Sequence, residues 1–457
     1  NTAPTISLSG TGSAPAGSLY TVNLGVSDPG DDTPSSWTIN WGDGTIDTIV
    51  GNPTTASHTY GGALTYQVLA SIVDEDGEWW NAELIVPGMI VPDQLLRYEA
   101  VTGTFIDNLM AGVGNGKPAG TAWGPDGDLY VSVWEAPNRG IHRFDGSTLA
   151  YLGVFVPDGS GGLGQPWGLG FGPDGNLYVA STVPDGVYRY DGSTGAFIDV
   201  FASPSGNSLA GPGSFTFGPD GDLYVSSFSS DEILRFDGGT GAYLGVFVSV
   251  GSGGLDAPEG LVFRSDGYLY VASKVENSVK RYDAATGAFV DNFVAPGSGV
   301  LSQPSGIAFG PDGDLFVSSR NTARVKRYDG TTGIYLGDYV DNGSGGLSNP
   351  YYLSFLPDHQ VTVSGVATYT ISGTVFEDIA GDVLNDGTVG DASNPGVENT
   401  DVHLYLDVDG DGIPEATDTF VTTVQTGAGG DYSFPGLSSA KYFVVVDSKT
   451  VRSTAPA

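Results

Sequence analysis

The sequence contains no cysteine, two methionines and four histidines, and its 17 basic residues are far outnumbered by 53 acidic ones. Without cysteine, neither disulfides nor thiolate chemistry contributes, and the usual indicator of redox compartment is missing. The formal net charge of −36 repels phosphate backbones and anionic lipid, so nucleic acid and membrane surfaces are poor partners. Long apolar runs are also missing, since none approaches the roughly 18–20 residues that span a bilayer. We therefore expect no membrane span.

The sequence is instead rich in glycine and in one repeated pattern. A basic residue, an aromatic and an acid recur every 46 residues, from Arg97-Tyr98-Glu99 to Arg327-Tyr328-Asp329. A second pattern, Gly-Pro-Asp-Gly-Asp-Leu-Tyr-Val-Ser and its variants, recurs around six acids: Asp126, Asp174, Asp220, Asp266, Asp312 and Asp358. A period in the forties, built from short strand signals and turn dipeptides, is typical of propeller blades with one four-stranded sheet each.

The order of the two patterns predicts how the ring closes. Residues 95–364 begin with an outer strand pair, Arg97 to Leu109, and end with an inner pair, Tyr352 to Val363. We therefore expect a six-bladed β-propeller with a split last blade, assembled from both ends of the repeat, which removes two exposed sheet edges. The repeated arginine is interpreted as a packed, paired residue between strands.

The runs at 166–180 and 304–318, Pro-x-Gly-(Leu/Ile)-x-Phe-Gly-Pro-Asp-Gly-x-Leu-(Tyr/Phe)-Val-(Ala/Ser), resemble NHL-type six-bladed propellers. They resemble gluconolactonase-like and streptogramin-lyase-like propellers more distantly. One propeller scaffold hosts many activities, so the resemblance implies a fold rather than a reaction.

Residues 1–91 carry short alternating strands between Asp/Gly/Pro turns, which is typical of a small antiparallel sandwich. The motifs Trp41-Gly42-Asp43-Gly44, His58-Thr59-Tyr60 and Tyr66-Gln67-Val68 resemble the polycystic-kidney-disease (PKD) domain. The resemblance implies an immunoglobulin-like (Ig-like) β-sandwich that acts as an extracellular spacer or adhesion module. Residues 87–94 are interpreted as a short, stiff linker because two prolines restrict them.

Residues 368–457 form a third, strand-rich segment. Its motifs at 370–376, 402–405, 430–434 and 442–447 resemble the SdrD B-like (Cna-B-related) domain of surface adhesins. That resemblance implies a C-terminal Ig-like or prealbumin-like β-sandwich that binds calcium.

The strongest candidate for a ligand site lies in this third segment. Oxygen donors occupy positions 1, 3, 5, 9 and 12 of an EF-hand-type spacing, a backbone carbonyl is available at position 7, and Gly412 stands at position 6. These ligands are Asp407, Asp409, Asp411, Ile413, Glu415 and Asp418. The alternative is an acidic solvated turn, but carboxylates packed so closely repel one another unless a cation lies among them. We expect Ca²⁺ here, and a weaker second site at Asp378, Asp382, Asn385 and Asp386.

On the propeller, the face built from the Pro-x-Gly segments and the loops after Val-Ser/Ala varies from blade to blade. Its candidate ligand residues are Trp167, Glu259, Asn277, Arg320 and Tyr351. Glu259 with Asn277 and Arg320 suggests a lactonase-like metal site. Against this, the four histidines are scattered and no acid–base pair repeats a catalytic spacing, so a non-catalytic face is favoured.

These observations predict an all-β, extracellular or cell-surface protein with an adhesive or structural role rather than a catalytic one. Its expected partners are other copies of itself, assembling into fibres as a homopolymer, or cell-surface proteins and glycans. The alternative functions are a propeller enzyme acting on sugar lactones or polysaccharides, as a hydrolase or lyase, and a carbohydrate-binding protein.

Overall fold

The computed structural model describes residues 4–27, 33–61, 65–75, 77–89, 94–99, 101–114, 116–366, 369–374, 400–406, 419–427, 431–437 and 442–446. Regular structure in these ranges is all β, apart from four three-residue 3-10 turns at Ser160–Gly162, Ser252–Gly254, Ser298–Val300 and Ser344–Gly346. No helix in the described ranges is long and apolar enough to cross a membrane. The chain divides into two compact units, Asn1–Ser364 and Gly365–Ala457.

The first eight strands surround one hydrophobic core. They are β1 (Thr5–Gly10), β2 (Ser13–Ala16), β3 (Leu19–Ser27), β4 (Ser36–Asn40), β5 (Ile46–Val50), β6 (Thr55–Thr59), β7 (Thr65–Val73) and β8 (Glu78–Trp80). Alternation along β3 turns Tyr20, Val22 and Leu24 inward, where they meet Trp37 and Trp41 of the opposite side. One sheet has the order β1-β3-β6, and the other contains β7-β4-β5 with β8 beside β7. We call this part the N-terminal sandwich.

The repeat then folds into four-stranded antiparallel sheets. Three strands come first: β9 (Leu84–Gly88), β10 (Gln94–Tyr98) and β11 (Phe105–Asn108). The first two complete blades are β12 (Pro118–Trp123), β13 (Leu129–Val133), β14 (Gly140–Phe144), β15 (Tyr151–Pro157), and β16 (Pro166–Phe171), β17 (Leu177–Thr182), β18 (Asp185–Tyr190), β19 (Phe197–Ala202). Three more follow: β20 (Pro212–Phe217), β21 (Leu223–Ser227), β22 (Glu232–Phe236), β23 (Tyr243–Val248); β24 (Pro258–Arg264), β25 (Tyr268–Ser273), β26 (Ser278–Asp283), β27 (Phe289–Val294); and β28 (Pro304–Phe309), β29 (Leu315–Ser319), β30 (Arg324–Tyr328), β31 (Tyr335–Val340). The first strand of each blade is its inner strand.

A closing blade completes a ring, so this part of the chain is a β-propeller. Its strand order is β11-β10-β9-β32, with β32 (Ser354–Phe355) as the inner strand. On one side, Ser305 Oγ donates to the Tyr351 carbonyl at 3.3 Å. On the other, the Tyr352 amide donates to the Ala119 carbonyl at 3.3 Å, and Thr121 Oγ1 and Ser354 Oγ are 3.0 Å apart. The closing blade therefore contacts both the fifth and the first complete blade.

The closing blade draws on both ends of the repeat, but in a different way from the expected two-plus-two division. β9 supplies its second strand, so three strands come from the N-terminal side and one from the C-terminal side. The expected second strand lies in β33 (His359–Val366), which joins the N-terminal sandwich between β2 and β7. Leu84–Gly88, assigned above to the end of the first segment and the start of a linker, is therefore a propeller strand.

The reason is visible in the partner of the first repeated arginine. Arg97 lies opposite Ile85 and binds Glu83 at 3.0 Å, just before β9. In a complete blade, Arg143 binds Asp128 at the corresponding place. The competing strand carries Gln360 there, 46 residues after Asp314, and offers no charge to Arg97. Val361 of β33 is instead fully buried in the core of the sandwich.

The interpretation of the repeated arginine as a paired residue is confirmed. Its partners, however, alternate from blade to blade, which the repeat did not reveal. Every second arginine binds two aspartates of the turn between the first and second strands: Arg143 with Asp126 and Asp128, Arg235 with Asp220 and Asp222, and Arg327 with Asp312 and Asp314. The others bind chiefly a fourth-strand aspartate: Arg97 with Asp107, Arg189 with Asp199, and Arg281 with Asp291. The fourth strand decides which applies, because Arg143 faces Gly153 whereas Arg189 faces Asp199.

The second unit contains two small sheets. Their strands are β34 (Tyr369–Thr374), β35 (Asp401–Leu406), β36 (Thr419–Gln425), β37 (Asp431–Leu437) and β38 (Tyr442–Val446). β34 pairs with β37, and the other sheet has the order β36-β35-β38. Val402, Leu404 and Phe434 form the buried core that the described residues show.

Candidate functional site

The most varied surface of the propeller is the face on which the inner strands begin, which we call the upper face. Each blade places two residues there: one follows the proline at the start of the inner segment, and the other follows the residue paired with that proline. The inner ring consists of Ala119, Trp167, Gly213, Glu259, Ser305 and Tyr351. The outer ring consists of Met89, Trp134, Thr182, Phe228, Lys274 and Arg320.

One half of the two rings is apolar and mainly aromatic. The Trp134 and Trp167 rings are nearly parallel, with centroids 5.7 Å apart. The Tyr351 ring follows at 5.2 Å from Trp167, and Met89 and Ala119 belong to the same cluster. This half forms a rigid apolar wall.

The other half is charged and internally paired. Glu259 Oε1 accepts a hydrogen bond from Lys274 Nζ at 2.7 Å and lies 3.5 Å from Arg320 Nη1. The two cations also cover aromatic rings, since Lys274 Nζ lies 4.6 Å from the Phe228 centroid and the Arg320 guanidinium 4.0 Å from that of Tyr351. The protein's own cations therefore occupy these ring faces.

Glu259 is the unusual member of this cluster. The residue is 5% exposed, yet its Oε2 has no hydrogen-bond partner among the residues that the structure describes. A buried carboxylate oxygen left without a donor costs free energy, on the order of 1–3 kcal/mol or more. The arrangement therefore leaves one buried acceptor of Glu259 unsatisfied by the described residues.

A cavity of about 470 Å³ opens between the two halves. It lies over the one blade whose inner-ring residue has no side chain, Gly213, where a Cβ atom would come within 3.2 Å of the Tyr352 hydroxyl. The other lining residues are Gln165, Trp167, Thr182, Asp185, Ala210, Gly211, Phe228, Ser229, Glu259, Lys274, Tyr351 and Tyr352. The volume falls within the range of about 300–1,000 Å³ that is usual for small-ligand sites.

The tyrosines of this cavity are neutral at physiological pH. Burial raises the pKa of Tyr351 well above its ordinary value, and the charge of Glu259 raises it further. The pKa of Tyr352 rises for the same two reasons. Both hydroxyls therefore act as hydrogen-bond donors and acceptors rather than as bases.

The structure brings together four of the five predicted face residues. Trp167, Glu259 and Tyr351 line the cavity, and Arg320 contacts both Glu259 and Tyr351. Asn277 is not among the lining residues, because its Oδ1 accepts from the Gln303 amide at 2.7 Å and its Nδ2 donates to the Val275 carbonyl.

Asn277 belongs to a repeated clamp between blades. Asp231 accepts from the Ala257 amide at 2.7 Å in the blade before, and Asp185 from the Gly211 amide at 2.9 Å in the one before that. Sequence reasoning missed Gly213, Phe228 and Asp185 as cavity residues. The 46-residue spacing was a usable signal, since Gly213 lies one period before Glu259 and Phe228 one period before Lys274.

The residues around Glu259 do not fit the suggested lactonase-like metal site. Its nearest charged neighbours are the cations Lys274 and Arg320, which repel a divalent ion. Across the described ranges, no group of three or more His, Cys, Asp or Glu side chains is arranged to hold a metal. Both predicted calcium sites, at 407–418 and at 378–386, lie outside the described residues.

No family model matches the sequence. Among solved structures, the chain is similar to one from a nidogen/laminin complex, with 14% identity over 61% of this chain and 99% of that one and a TM-score of 0.48. Virginiamycin B lyase from Staphylococcus aureus matches at 18% identity over 48% of this chain and 68% of its own, with a TM-score of 0.36. A putative gluconolactonase matches at 16% identity over 49% and 77%, with a TM-score of 0.40. Similarity at this level carries no function to this chain.

Proposed function

We propose that the protein binds carbohydrate at the upper face of its propeller. The observation that carries this proposal is the buried, unpartnered Oε2 of Glu259 beside an aromatic-walled cavity. A sugar hydroxyl is a donor that satisfies such an oxygen in a charge-assisted hydrogen bond. The C–H groups of the same sugar pack against Trp167, the half-buried ring of the apolar wall.

Binding is better supported than hydrolysis. Most glycoside hydrolases use two carboxyl groups that flank the scissile bond, one of them as a proton donor. The second carboxylate that lines this cavity, Asp185, is engaged by the Gly211 amide, and Glu259 Oε1 is engaged by two cations. These carboxylates act as fixed acceptors that orient a ligand.

The test is to fill the cavity from the one blade that leaves it open. A glycan array followed by titration calorimetry identifies the ligand on the unaltered protein. Gly213→Leu should abolish that binding while preserving the melting temperature within a few degrees, because Gly213 does not adopt the left-handed backbone region that disfavours side chains. Glu276→Gln, an exposed substitution on the loop that follows Lys274, is the matched control and should bind as the unaltered protein does.

Two outcomes oppose the proposal. Absence of binding to every glycan would refute carbohydrate recognition. Product formation, followed by mass spectrometry of the incubated glycan and lost in Glu259→Gln, would instead identify a propeller hydrolase or lyase.

We further propose the setting in which such a site works. The motifs that resemble PKD and SdrD B-like domains support an extracellular, cell-surface protein with Ig-like modules on each side of an NHL-like propeller. The ligand spacing of residues 407–418 supports a structural Ca²⁺ in the last module. Adhesion to glycans or cell-surface proteins, with self-association into fibres, is the role that this organisation favours.

A further inference from the structure

We infer that the cavity on the upper face selects uncharged sugar residues and rejects uronic acids, with Glu259 as the residue that determines this specificity. The inference rests on the proposed carbohydrate binding and adds the chemical class of the ligand. It follows from how the charges around the cavity are arranged.

The charges of the cavity cancel within the protein. Asp185 and Glu259 carry the two negative charges of its lining, and Lys274 carries the positive one. Arg320 adds a second positive charge directly behind Glu259. A neutral ligand leaves this balance of charges unchanged, whereas a charged ligand upsets it.

The two cations near the cavity are already paired within the protein, so an anionic ligand has to compete with Glu259 for them. Lys274 Nζ is bonded to Glu259 at 2.7 Å, and Arg320 is shared between Glu259, Tyr351 and Asn349, whose Oδ1 accepts from its Nε at 2.9 Å. Among the described residues of this charged half, the side-chain atom left without a partner is an acceptor, the buried Oε2 of Glu259. A uronate carboxylate would face two carboxylates of like charge, which repel it.

A cationic ligand is disfavoured for a different reason. Aromatic side chains often bind ammonium groups over their ring faces. Here Lys274 already lies over Phe228, and Arg320 over Tyr351. An amino sugar would therefore meet protein cations at these rings. The aromatic faces therefore do not recruit an ammonium group, and the neutral, hydroxyl-rich class is the one that we expect to bind.

The experiment compares three sugars that differ in charge. Titration calorimetry on the full chain, at pH 7 and constant ionic strength, measures methyl glucoside, glucuronate and glucosamine, and then the galacto series. We expect the neutral member of one series to bind at least tenfold more tightly than its uronate and its amino sugar. Equal or tighter binding of the uronate or the amino sugar would overturn the inference while leaving carbohydrate binding intact. If no member of either series and no glycan of the array binds, the proposed function itself fails.

Two variants separate charge selection from a merely structural role. Glu259→Gln should weaken the affinity for the neutral sugar about tenfold. It should also narrow the difference in affinity between the neutral sugar and the uronate, because it removes a negative charge and releases Lys274. Asp185→Asn retains an acceptor for the Gly211 amide and should narrow the gap with little loss of the neutral sugar. Glu276→Gln should change neither the affinity for the neutral sugar nor the difference from the uronate. If Glu259→Gln does not fold, the Asp185→Asn result decides, and an unchanged gap there contradicts the inference.

Discussion

At the scale of single residues, the glycines of the blade connections determine how closely neighbouring blades pack. In four 3-10 turns the middle position lies against an aromatic ring of a fourth strand, pairing Gly161 with Phe197, Gly253 with Phe289, Gly299 with Tyr335 and Gly345 with Phe105. All four turns begin with Ser-Gly, so the repeat shows in its sequence where these close contacts occur. A ring seated on backbone leaves no room for a Cβ atom.

Gly253→Ala tests this packing. A Cβ atom at Gly253 would lie 2.0 Å from Cδ2 of Phe289, in a residue whose φ is +60°. We expect the free energy of unfolding to fall by about 1–3 kcal/mol, from overpacking and backbone strain together. Gly251→Ala is the matched control, because φ there is +72° but nothing lies within 4 Å of the added atom. Equal losses for the two variants in urea titrations would show that the ring contact is unimportant.

Asp358 predicts a pH dependence of stability. Burial raises its pKa to about 7, although Oδ2 accepts from the Ala70 amide at 2.9 Å. Because the folded-state pKa lies above the unfolded value of 3.8, the folded chain holds this proton more tightly, and the free energy of unfolding falls as pH rises from about 4 to about 7. The loss from this one group is on the order of 2–4 kcal/mol.

Asp358→Asn preserves the acceptor for Ala70 and should be more stable than the unaltered protein at pH 8, with a shallower slope between pH 4 and 7. Some slope should remain, because burial also raises the pKa of Asp312 to about 7, although Arg327 lowers it. Asp341→Asn, at an exposed position, serves as the control for urea titrations across pH. An unchanged slope in the Asp358 variant would rule out this assignment.

At the scale of elements, two strands are suited to the same place in the closing blade. The run 361–364 continues the periodic second-strand pattern, yet its first two residues, Val361 and Thr362, pair with β7 of the sandwich in this structure. β9 takes the vacant place and forms a hairpin with β10, which brings Glu83 to Arg97. As a result, β9 follows the sandwich in the chain but belongs to the propeller, whereas β33 follows the propeller but belongs to the sandwich.

Engineered disulfides distinguish the two arrangements, and the absence of cysteine leaves the background clean. Ile85 and Ser354 are directly opposed across β9 and β32, so Ile85→Cys with Ser354→Cys should cross-link under mild oxidation. Leu353→Cys with Val363→Cys, the pair expected from the two-plus-two division, should remain reduced. The reverse pattern in non-reducing peptide mapping would show that β33 occupies the blade.

At the scale of the whole molecule, the sandwich and the propeller contact each other on the propeller face opposite the cavity. Asn40 Nδ2 donates to the Gly310 carbonyl at 3.1 Å, and Ser265 Oγ donates to the Gly44 carbonyl at 2.7 Å. These contacts cover the turns between first and second strands and leave the upper face to a ligand. The formal net charge of −36 disfavours the compact state, because like charges repel one another.

The proposed calcium site can be tested on the full chain. We expect 1 mM Ca²⁺ to raise the melting temperature of the unit Gly365–Ala457, followed by hydrogen exchange of β35 and β38, with little change in the propeller strands. Asp411→Asn should remove most of that rise in melting temperature. Mg²⁺ should reproduce little of it, because Mg²⁺ requires a near-octahedral set of oxygens and gives up its water ligands reluctantly. Sedimentation velocity in the same samples tests self-association, and an unchanged melting profile with chelator would refute a structural Ca²⁺.

The sequence by itself determined what depends on local order. The 46-residue period specified four-stranded sheets, the paired arginine and an all-β propeller, because a hairpin needs only its own turn residues and alternating side chains. The sequence could also identify four candidate residues of the upper face, because the residue type at their positions differs from repeat to repeat: Trp167, Glu259, Arg320 and Tyr351. The family identity of the two flanking modules and the calcium loop stay predictions.

Tertiary structure alone decided the rest. Whether β9 or β33 completes the last blade depends on where Arg97 finds an acid and where Val361 is buried, and neither is visible in the local pattern. The same is true of the pairing of Glu259 with Arg320, 61 residues away, and of the oxygen it leaves free. The physical reason is that ring closure and charge pairing join distant parts of the chain, where several partners compete for one place.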